Sequence, residues 1–271
     1  MFLAHNLIDQ TVLDRFNHAE KVIKIAGTQA LEYFRNREKL IVETKMEPQD
    51  VVSIADRNVE VTIIEGLQEH FPQDGFLGEE QGITKGDNQY LWVIDPIDGT
   101  ACFLNGMHSW CISIALMVND KIACGLIFDP NSNELFSAVA GKGCFVNDKK
   151  VATLAVNSVQ EGVMGLGTSH RVPASLCVNF IDKLLNQGGM FIRNGSGALM
   201  LAYVAAGRLI GYYEPHINSW DCLAGLIMVD EAGGATNDFL SGEGLLKGNP
   251  IIVSASGIKD SLRQMINQLS V

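Results

Sequence analysis

Basic residues are in short supply in this chain: 20 lysines and arginines face 31 aspartates and glutamates, for a formal charge of −11 at pH 7. Proteins that grip nucleic acid or an anionic membrane replace counterions with cationic side chains, and no such surplus exists here. An acidic chain still binds anions when metal ions supply the positive charge. Also missing is any Cys-x-x-Cys pair. The six cysteines, at 102, 111, 124, 144, 177 and 222, form no framework spacing and are expected to be buried thiols in a reducing compartment. No run approaches the roughly 18 apolar residues of a membrane span. The stretch Met1 to Gln10, with His5 and Asp9, has neither the basic start nor the apolar segment of a secretory leader. A cytoplasmic protein is expected, with no nucleic-acid or membrane partner.

Internal repeats, low-complexity tracts and a Pro/Ser-rich linker are absent as well. What is present is a 47% apolar composition over 271 residues, enough for one large domain or two closely joined subdomains. Phe16, Ala19, Ile23, Ala26, Ala30 and Tyr33 recur at steps of three and four, which predicts a long amphipathic helix ending near Arg35-Asn36-Arg37. A second stripe, Asp56, Val59, Ile63 and Leu67, puts an acid on an apolar helical face before Pro72 stops the run.

Tyr90 to Ile94 reads as a strand buried on both sides that ends at Asp95-Pro96. A meander of β-rich runs follows, from Trp110 to Val118, Lys121 to Phe128 and Glu134 to Ala140, separated by turn residues. After residues 150 to 160 the style changes to alternation. Helices are expected from Pro173 to Leu185, Ala198 to Ala206 and Trp220 to Ala232, with a last one after Ile251 to Ser254. Strands are expected near Met190 to Ile192 and from Leu209 to Tyr213. We therefore expect an N-terminal α+β subdomain, 1–155, with the metal site, and a C-terminal α/β subdomain, 156–271.

The segment Asp95-Pro96-Ile97-Asp98-Gly99-Thr100 carries the most chemistry. Two carboxylates three residues apart leave an apolar strand at its carboxyl end, where open sheets place ligands. Pro96 lacks an amide hydrogen and Gly99 tolerates unusual turns, so the Ile97 carbonyl is freed as a further oxygen donor. Asp, Pro and Gly are equally the ordinary residues of a plain strand-to-turn transition. The charge balance favours a cation: from Asp74 to Asn105 there are six acids and one base, Lys85. Should Glu79, Asp95 and Asp98 converge, their repulsion has little local relief. Oxygen-only ligation suits magnesium, calcium or manganese, and no histidine lies in a compact ligand pattern.

These segments resemble the inositol monophosphatase family of lithium-sensitive, magnesium-dependent phosphatases. The resemblance rests on Gly78-Glu79-Glu80, on Trp92-Val93-Ile94-Asp95-Pro96-Ile97-Asp98-Gly99-Thr100 with Phe103, and on Trp220-Asp221-x-x-Ala224-Gly225. Asp50-Val51-Val52-x-x-x-Asp56, Gly195-Ser196 with Val204-Ala205-Ala206-Gly207-Arg208, and Glu231-Ala232-Gly233-Gly234 support it. It implies an α+β / α/β fold, a layered αβαβα sandwich of the inositol monophosphatase / fructose-1,6-bisphosphatase type, and a homodimer.

The resemblance further implies that Glu79, Asp95 and the Ile97 carbonyl hold one Mg2+ and that Asp95, Asp98 and Asp221 hold a second, with a third, looser ion near Glu79. Asp56, Thr100 and Glu79 become the catalytic group, with Asp56 and Thr100 helping to activate water. Glu79, Ile97, Asp98, Gly99, Thr100, Gly195, Ser196, Gly197, Glu214 and Asp221 become the residues around a small phosphorylated polyol or sugar.

Residue by residue, other readings stay open. Asp56 and Asp221 each suit the first turn of a helix, where an acid meets the dipole. Gly195-Ser196-Gly197 suits close helix packing. Gly165-Leu166-Gly167 and Gly242-Glu243-Gly244 lack the setting of a dinucleotide site and are taken as turns. Ala101-Cys102, Gly197, Pro215-His216 and Asn218 depart from the usual pattern on the substrate side. Inositol monophosphate leads as substrate, with fructose 1,6-bisphosphate, histidinol phosphate and a 3′-phosphorylated nucleotide as rivals. A non-catalytic binding or regulatory protein on the same fold is the alternative of another class.

Overall fold

The computed structural model describes residues 8–40, 42–44 and 51–269. Helix α1 (Gln10–Arg35) starts where Asp9 Oδ1 accepts the amides of Thr11 and Val12 at 3.0 and 3.1 Å, satisfying donors that have no partner inside the helix. Ala19, Ile23, Ala26 and Ala30 of the expected stripe are fully buried. A short antiparallel pair, β1 (Val42–Thr44) and β2 (Val51–Ser53), leads into α2 (Ile54–Gln68). Asp50, which opens the first motif, lies outside the described residues.

An eight-stranded sheet follows, built from β3 (Gly75–Gly78), β4 (Gly82–Thr84), β5 (Tyr90–Asp98), β6 (Cys111–Val118), β7 (Lys121–Asp129), β8 (Glu134–Val139), β9 (Gly143–Val146) and β10 (Lys149–Val151), with the short helix α3 (Thr100–Leu104) after β5. The order is β10-β9-β8-β7-β6-β5-β3-β4, and only β3 beside β5 is parallel. Asn119-Asp120 and Asn147-Asp148 turn their hairpins with positive φ, 48° and 61°, 45° and 65°, the backbone that matches strand twist and that these residues tolerate.

The rest of the chain alternates: β11 (Val163–Leu166), α4 (Ser175–Asn186), β12 (Met190–Ile192), α5 (Gly197–Ala205), β13 (Gly211–Ile217), α6 (Ser219–Glu231), β14 (Ala235–Thr236), α7 (Gly244–Lys247), β15 (Asn249–Ser254) and α8 (Lys259–Asn267). Its five strands run β12-β11-β13-β15-β14.

Strand alternation sorts the core into layers. On β6, Ile112, Ile114, Leu116 and Val118 pack with α1 and α2, while Cys111, Ala115 and Met117 pack with α5 and α6, as a period of two requires. The α5–α6 pair is in turn covered by Tyr212, Ile251 and Val253 of the smaller sheet. The other face of that sheet packs Met164, Ile210 and Tyr213 on Phe180, Leu184 and Leu262 of α4 and α8. This gives the expected five-layer αβαβα sandwich. Close approach holds the middle layer: a Cβ on Gly125 of β7 would lie 2.7 Å from the Ala224 backbone of α6.

Arg15 of α1 clamps the fully buried Asp74 with Nε and Nη2, each at 2.8 Å, and Asn88 Nδ2 and Trp92 Nε1 donate to the same carboxylate at 2.8 and 3.0 Å. One of the six acids from 74 to 105 is thereby neutralised by protein alone. All six cysteines are free and buried. Among the described residues, no helix is long and apolar enough to cross a membrane.

Candidate active site

Strand β5 does not stop at Asp95-Pro96 as the sequence suggested but continues through Asp98. Asp95 opposes Ser113 and Asp98 opposes Cys111, so three steps on β5 match two on β6. One extra residue is thus bulged out. In a regular strand, side chains three apart point to opposite faces; the bulge turns Asp98 onto the face of Asp95. Pro96, which has no amide hydrogen for the ladder, sits inside the bulge. Both acids consequently face the α5–α6 layer, from which Asp221 approaches.

Carboxylate oxygens of Asp95, Asp98 and Asp221 all lie within 4.8 Å of one another. Burial pushes all three acids up. Asp98 reaches about 6, while Asp95 and Asp221 are held well above the usual carboxylate range, Asp95 first by burial and then by the charges of Glu79, Asp98 and Asp221, and Asp221 first by burial and then by the charges of Asp98 and Glu79. Three convergent oxygen donors carrying more charge than the protein relieves fit a hard divalent cation. The structure thus provides a cluster able to hold metal from residues 126 positions apart (221 − 95).

Asp98 is held by the start of α5. Its Oδ2 accepts from the Ser196 hydroxyl and from the Ala198 amide at 2.7 Å, with Cys111 Sγ at 3.9 Å, and the Gly197 amide adds to these. These bonds and the positive end of the helix oppose the burial effect. Ser196, expected beside substrate, is itself buried and also caps α5 by accepting from the Leu199 amide at 3.2 Å. Gly99 has φ 96°, and a Cβ on it would lie 2.7 Å from the Ser109 carbonyl, so no other residue fits the turn into α3.

Asp56 serves two purposes. Its Oδ2 accepts the Ser53 amide at 2.8 Å and the Ser53 hydroxyl at 2.7 Å, closing a capping box at the start of α2. Its Oδ1 faces Thr100, whose Oγ1 lies 3.1 Å away and 3.0 Å from the Ile97 carbonyl. A hydroxyl has one proton, so Thr100 donates to only one of them at a time. The Ile97 side chain points the other way, into the α1–α2 core. Asp221 repeats the design, because the Asn218 amide donates to its Oδ2 at 3.2 Å at the start of α6.

Glu79 is delivered by the parallel pairing of β3 with β5, in which Gly78 opposes Ile94 and the Glu79 amide donates to the Ile94 carbonyl at 3.2 Å. It stands outside the Asp95–Asp98–Asp221 triangle, although its charge raises Asp95 and Asp221. The turn after it is fixed by Glu60, a fully buried acid of α2. Its two oxygens accept the amides of Glu80 and Gln81 at 3.0 and 2.8 Å. The sequence reading passed over Glu60; its signal was the spacing Asp56-x-x-x-Glu60, one helical turn.

Two cavities open on the acids. One, of about 160 Å3, is lined by Asp98, Gly195, Ser196, Gly197, Glu214 and Asp221 among others. Arg193 and Tyr212, which the sequence reading did not single out, also line it. The other, of about 400 Å3, joins Glu79 and Asp221 to a rim that includes Arg171, His170 and His216. Arg171 Nη1 donates to Asn218 Oδ1, and His216 lies 2.9 Å from the Lys247 carbonyl. Of the expected site residues, Glu79, Asp98, Gly195, Ser196, Gly197, Glu214 and Asp221 line these two cavities, whereas Asp56, Asp95, Ile97, Gly99 and Thr100 line neither.

Comparison with known proteins agrees with this geometry. Residues 13–270 match the sequence profile of the Inositol monophosphatase family. The Inositol-1-monophosphatase of Rhizobium meliloti is 36% identical over 246 residues, 90% of this chain and 92% of its own. The Nus factor SuhB of Haemophilus influenzae is 32% identical over 256 residues, 93% and 94% of the two chains. The crystal structure of the extragenic suppressor protein suhB from Bartonella henselae superposes with a TM-score of 0.88 at 32% identity, covering 96% of this chain and 99% of its own.

Proposed function

The chain belongs to the inositol monophosphatase family, whose members are phosphatases, and from that premise we propose that it is a magnesium-dependent phosphomonoesterase acting on a small phosphorylated polyol, first of all an inositol monophosphate. The observation that carries this is the triangle of the buried Asp95 and Asp98 with the half-buried Asp221, whose oxygens lie within 4.8 Å of one another and of which Asp98 and Asp221 line a polar cavity. Asp95, Asp98, Asp221, Glu79 and the Ile97 carbonyl would hold two to three Mg2+. When bound, the ions lower the pKa of water and shield the charge of a phosphate dianion.

The chain's own part is orientation and proton transfer. Thr100 Oγ1 accepts a proton from the attacking water as it passes its own to Asp56 Oδ1, 3.1 Å away. Water adds to phosphorus, the ester P–O bond breaks on the opposite side, the departing alkoxide takes up a proton from solvent, and Asp56 returns the proton it received to solvent. Gly195, Gly197 and Glu214 line the cavity where the polyol would lie. Gly99 acts behind the wall by shaping the turn, and Ser196, itself part of the lining, holds Asp98. Free, buried thiols suit a cytoplasmic setting, and a homodimer and lithium sensitivity follow from the family reading.

A panel of inositol, fructose, histidinol and 3′-nucleotide phosphates, ranked by kcat/KM in magnesium, tests the substrate; no preference for inositol phosphates removes the narrow assignment. A binding role without catalysis is the second reading, supported by relatives named Nus factor SuhB. Magnesium-dependent phosphate release compared between wild type and Asp98→Asn separates the two. Equal, negligible release by both would favour the binding role.

A further inference from the structure

One carboxyl in the smaller cavity has a setting that the metal centre does not require. Glu214 lies on β13, two residues after Tyr212, so both side chains leave the strand on one face. The Tyr212 hydroxyl donates to Glu214 Oε2 at 2.5 Å. Tyr212 is 2% exposed, which leaves its hydroxyl little else to bind. Facing the pair across the parallel β11–β13 contact is Gly167, which follows the Leu166–Tyr213 pairing and donates its amide to the Tyr213 carbonyl at 2.9 Å.

Gly167 is a glycine for want of space and not for backbone reasons. Its φ lies outside the left-handed region, so any residue could adopt its conformation, yet a Cβ there would overlap the Glu214 carboxyl and the Tyr212 hydroxyl together. On the other side, a Cβ on Gly197 would lie 3.5 Å from the Tyr212 hydroxyl and 3.9 Å from Glu214 Oε2. The carboxyl is thus gripped at one oxygen and lies between two residues without side chains. All four line the cavity that also contains Asp98 and Asp221. An acid fixed in this way presents its remaining oxygen in one direction, at low cost in side-chain entropy on binding.

We propose that Tyr212 is a positioning residue and Gly167 a specificity-determining one, which together aim Glu214 at a hydroxyl of the substrate near the phosphate-bearing carbon. That an acid at this position meets a hydroxyl of a polyol phosphate is what the family resemblance already implies; new here are the two residues that hold it, whose effect would show on polyol phosphates and not on esters whose alcohol carries no second hydroxyl. This rests on the phosphatase reading above. It adds what decides between substrates once the metal centre has accepted a phosphate.

The test compares myo-inositol 1-phosphate with phenyl phosphate, which has a phosphate but no further hydroxyl, on wild type, Tyr212→Phe and Gly167→Ala. Loss of one aimed hydrogen bond predicts a fall of about tenfold in kcat/KM for the inositol ester in Tyr212→Phe, carried mainly by KM. Phenyl phosphate turnover should stay within about twofold. Gly167→Ala should show the same selectivity change, larger in size. Tyr212→Phe adds no bulk, so it keeps the test sharp if the alanine variant folds poorly. Equal proportional losses on both esters, or no loss on the inositol ester, would overturn the inference while leaving the phosphatase intact. A wild type inert toward both esters in magnesium would instead bring down the phosphatase reading, and this inference with it.

Discussion

Replacing Glu60 by Gln changes one buried atom and should loosen the metal site without touching a metal-facing carboxylate. In the native protein, both oxygens of this fully buried acid accept main-chain amides, Glu80 at 3.0 Å and Gln81 at 2.8 Å. Gly78 leaves room for them, since a Cβ there would overlap the carboxylate. Glutamine offers one oxygen and one NH2, so in either orientation a backbone donor meets another donor. Losing one charge-assisted bond and burying the mismatch costs about 2–4 kcal/mol, which for a chain of this length lowers Tm by roughly 5–15 °C. The freed turn is the one that follows Glu79. Removing the partners that orient a metal-binding side chain commonly weakens metal affinity by about 10–100-fold, and we expect Mg2+ affinity to fall within that range. Calorimetric titration with Mg2+, beside melting curves in chelator, reads both quantities. Unchanged Mg2+ affinity with the expected loss of Tm would mean that Glu60 serves the fold alone; no change in either would refute the reasoning altogether.

Asp74→Asn should destabilise without altering relative activity on different esters, because it breaks the buried pair with Arg15 that ties α1 to β5; a loss of about 3–5 kcal/mol by urea unfolding is expected, and a loss below about 1 kcal/mol would place the pair among weak surface contacts. A pH dependence follows from the acids. In the metal-free protein Asp98 is pushed up to about 6 and Asp95 and Asp221 lie well above 3.8, so the folded state keeps protons that the unfolded chain has released. Their contribution to stability is complete below about pH 4 and is lost as the pH rises through the folded values. Mg2+ needs the ionised carboxylates, so its stabilisation, about 2.7 kcal/mol at a hundred times Kd, should grow between about pH 5 and pH 8 in paired melting curves; an Mg2+ effect of equal size at both ends would contradict this.

Much of the site was legible because the sequence placed acids at element ends, and the structure shows how the two oxygens of one acid leave room for two readings of it. Asp56 suited a helix start and a proton-accepting role; one oxygen closes the capping box with Ser53 and the other meets Thr100. Asp221 divides in the same way between the Asn218 amide and the triangle. What the sequence hid depends on contacts across strands. The bulge that brings Asp98 round to Asp95 exists only against β6, although Pro96 and Gly99 hinted at it. Gly165-Leu166-Gly167 was taken for a turn, yet Gly165 is inside β11 and Gly167 faces Glu214. Strands β1, β2, β3, β4, β9, β10, β11 and β14 lie outside the strands expected from the sequence; each has four residues or fewer, too short for a periodic signal.

The local arrangement also explains how an acidic chain could build the phosphate site proposed above. Asp56 and Asp221 stand in the first turns of α2 and α6, Asp98 binds the first amides of α5, and Thr100 begins α3. Helix starts carry a partial positive charge of about half a unit, so the acids are gathered where the backbone partly offsets them. The offset is incomplete, since Asp98 still rises to about 6 and Asp95 and Asp221 are also held well above the usual carboxylate range. A site relieved fully by lysines would have no need of a cation, and one with no relief would not fold. Partial relief by helix ends leaves a deficit of positive charge that divalent ions could fill, and on the function proposed above the same ions would turn an acidic pocket into one that attracts an anion.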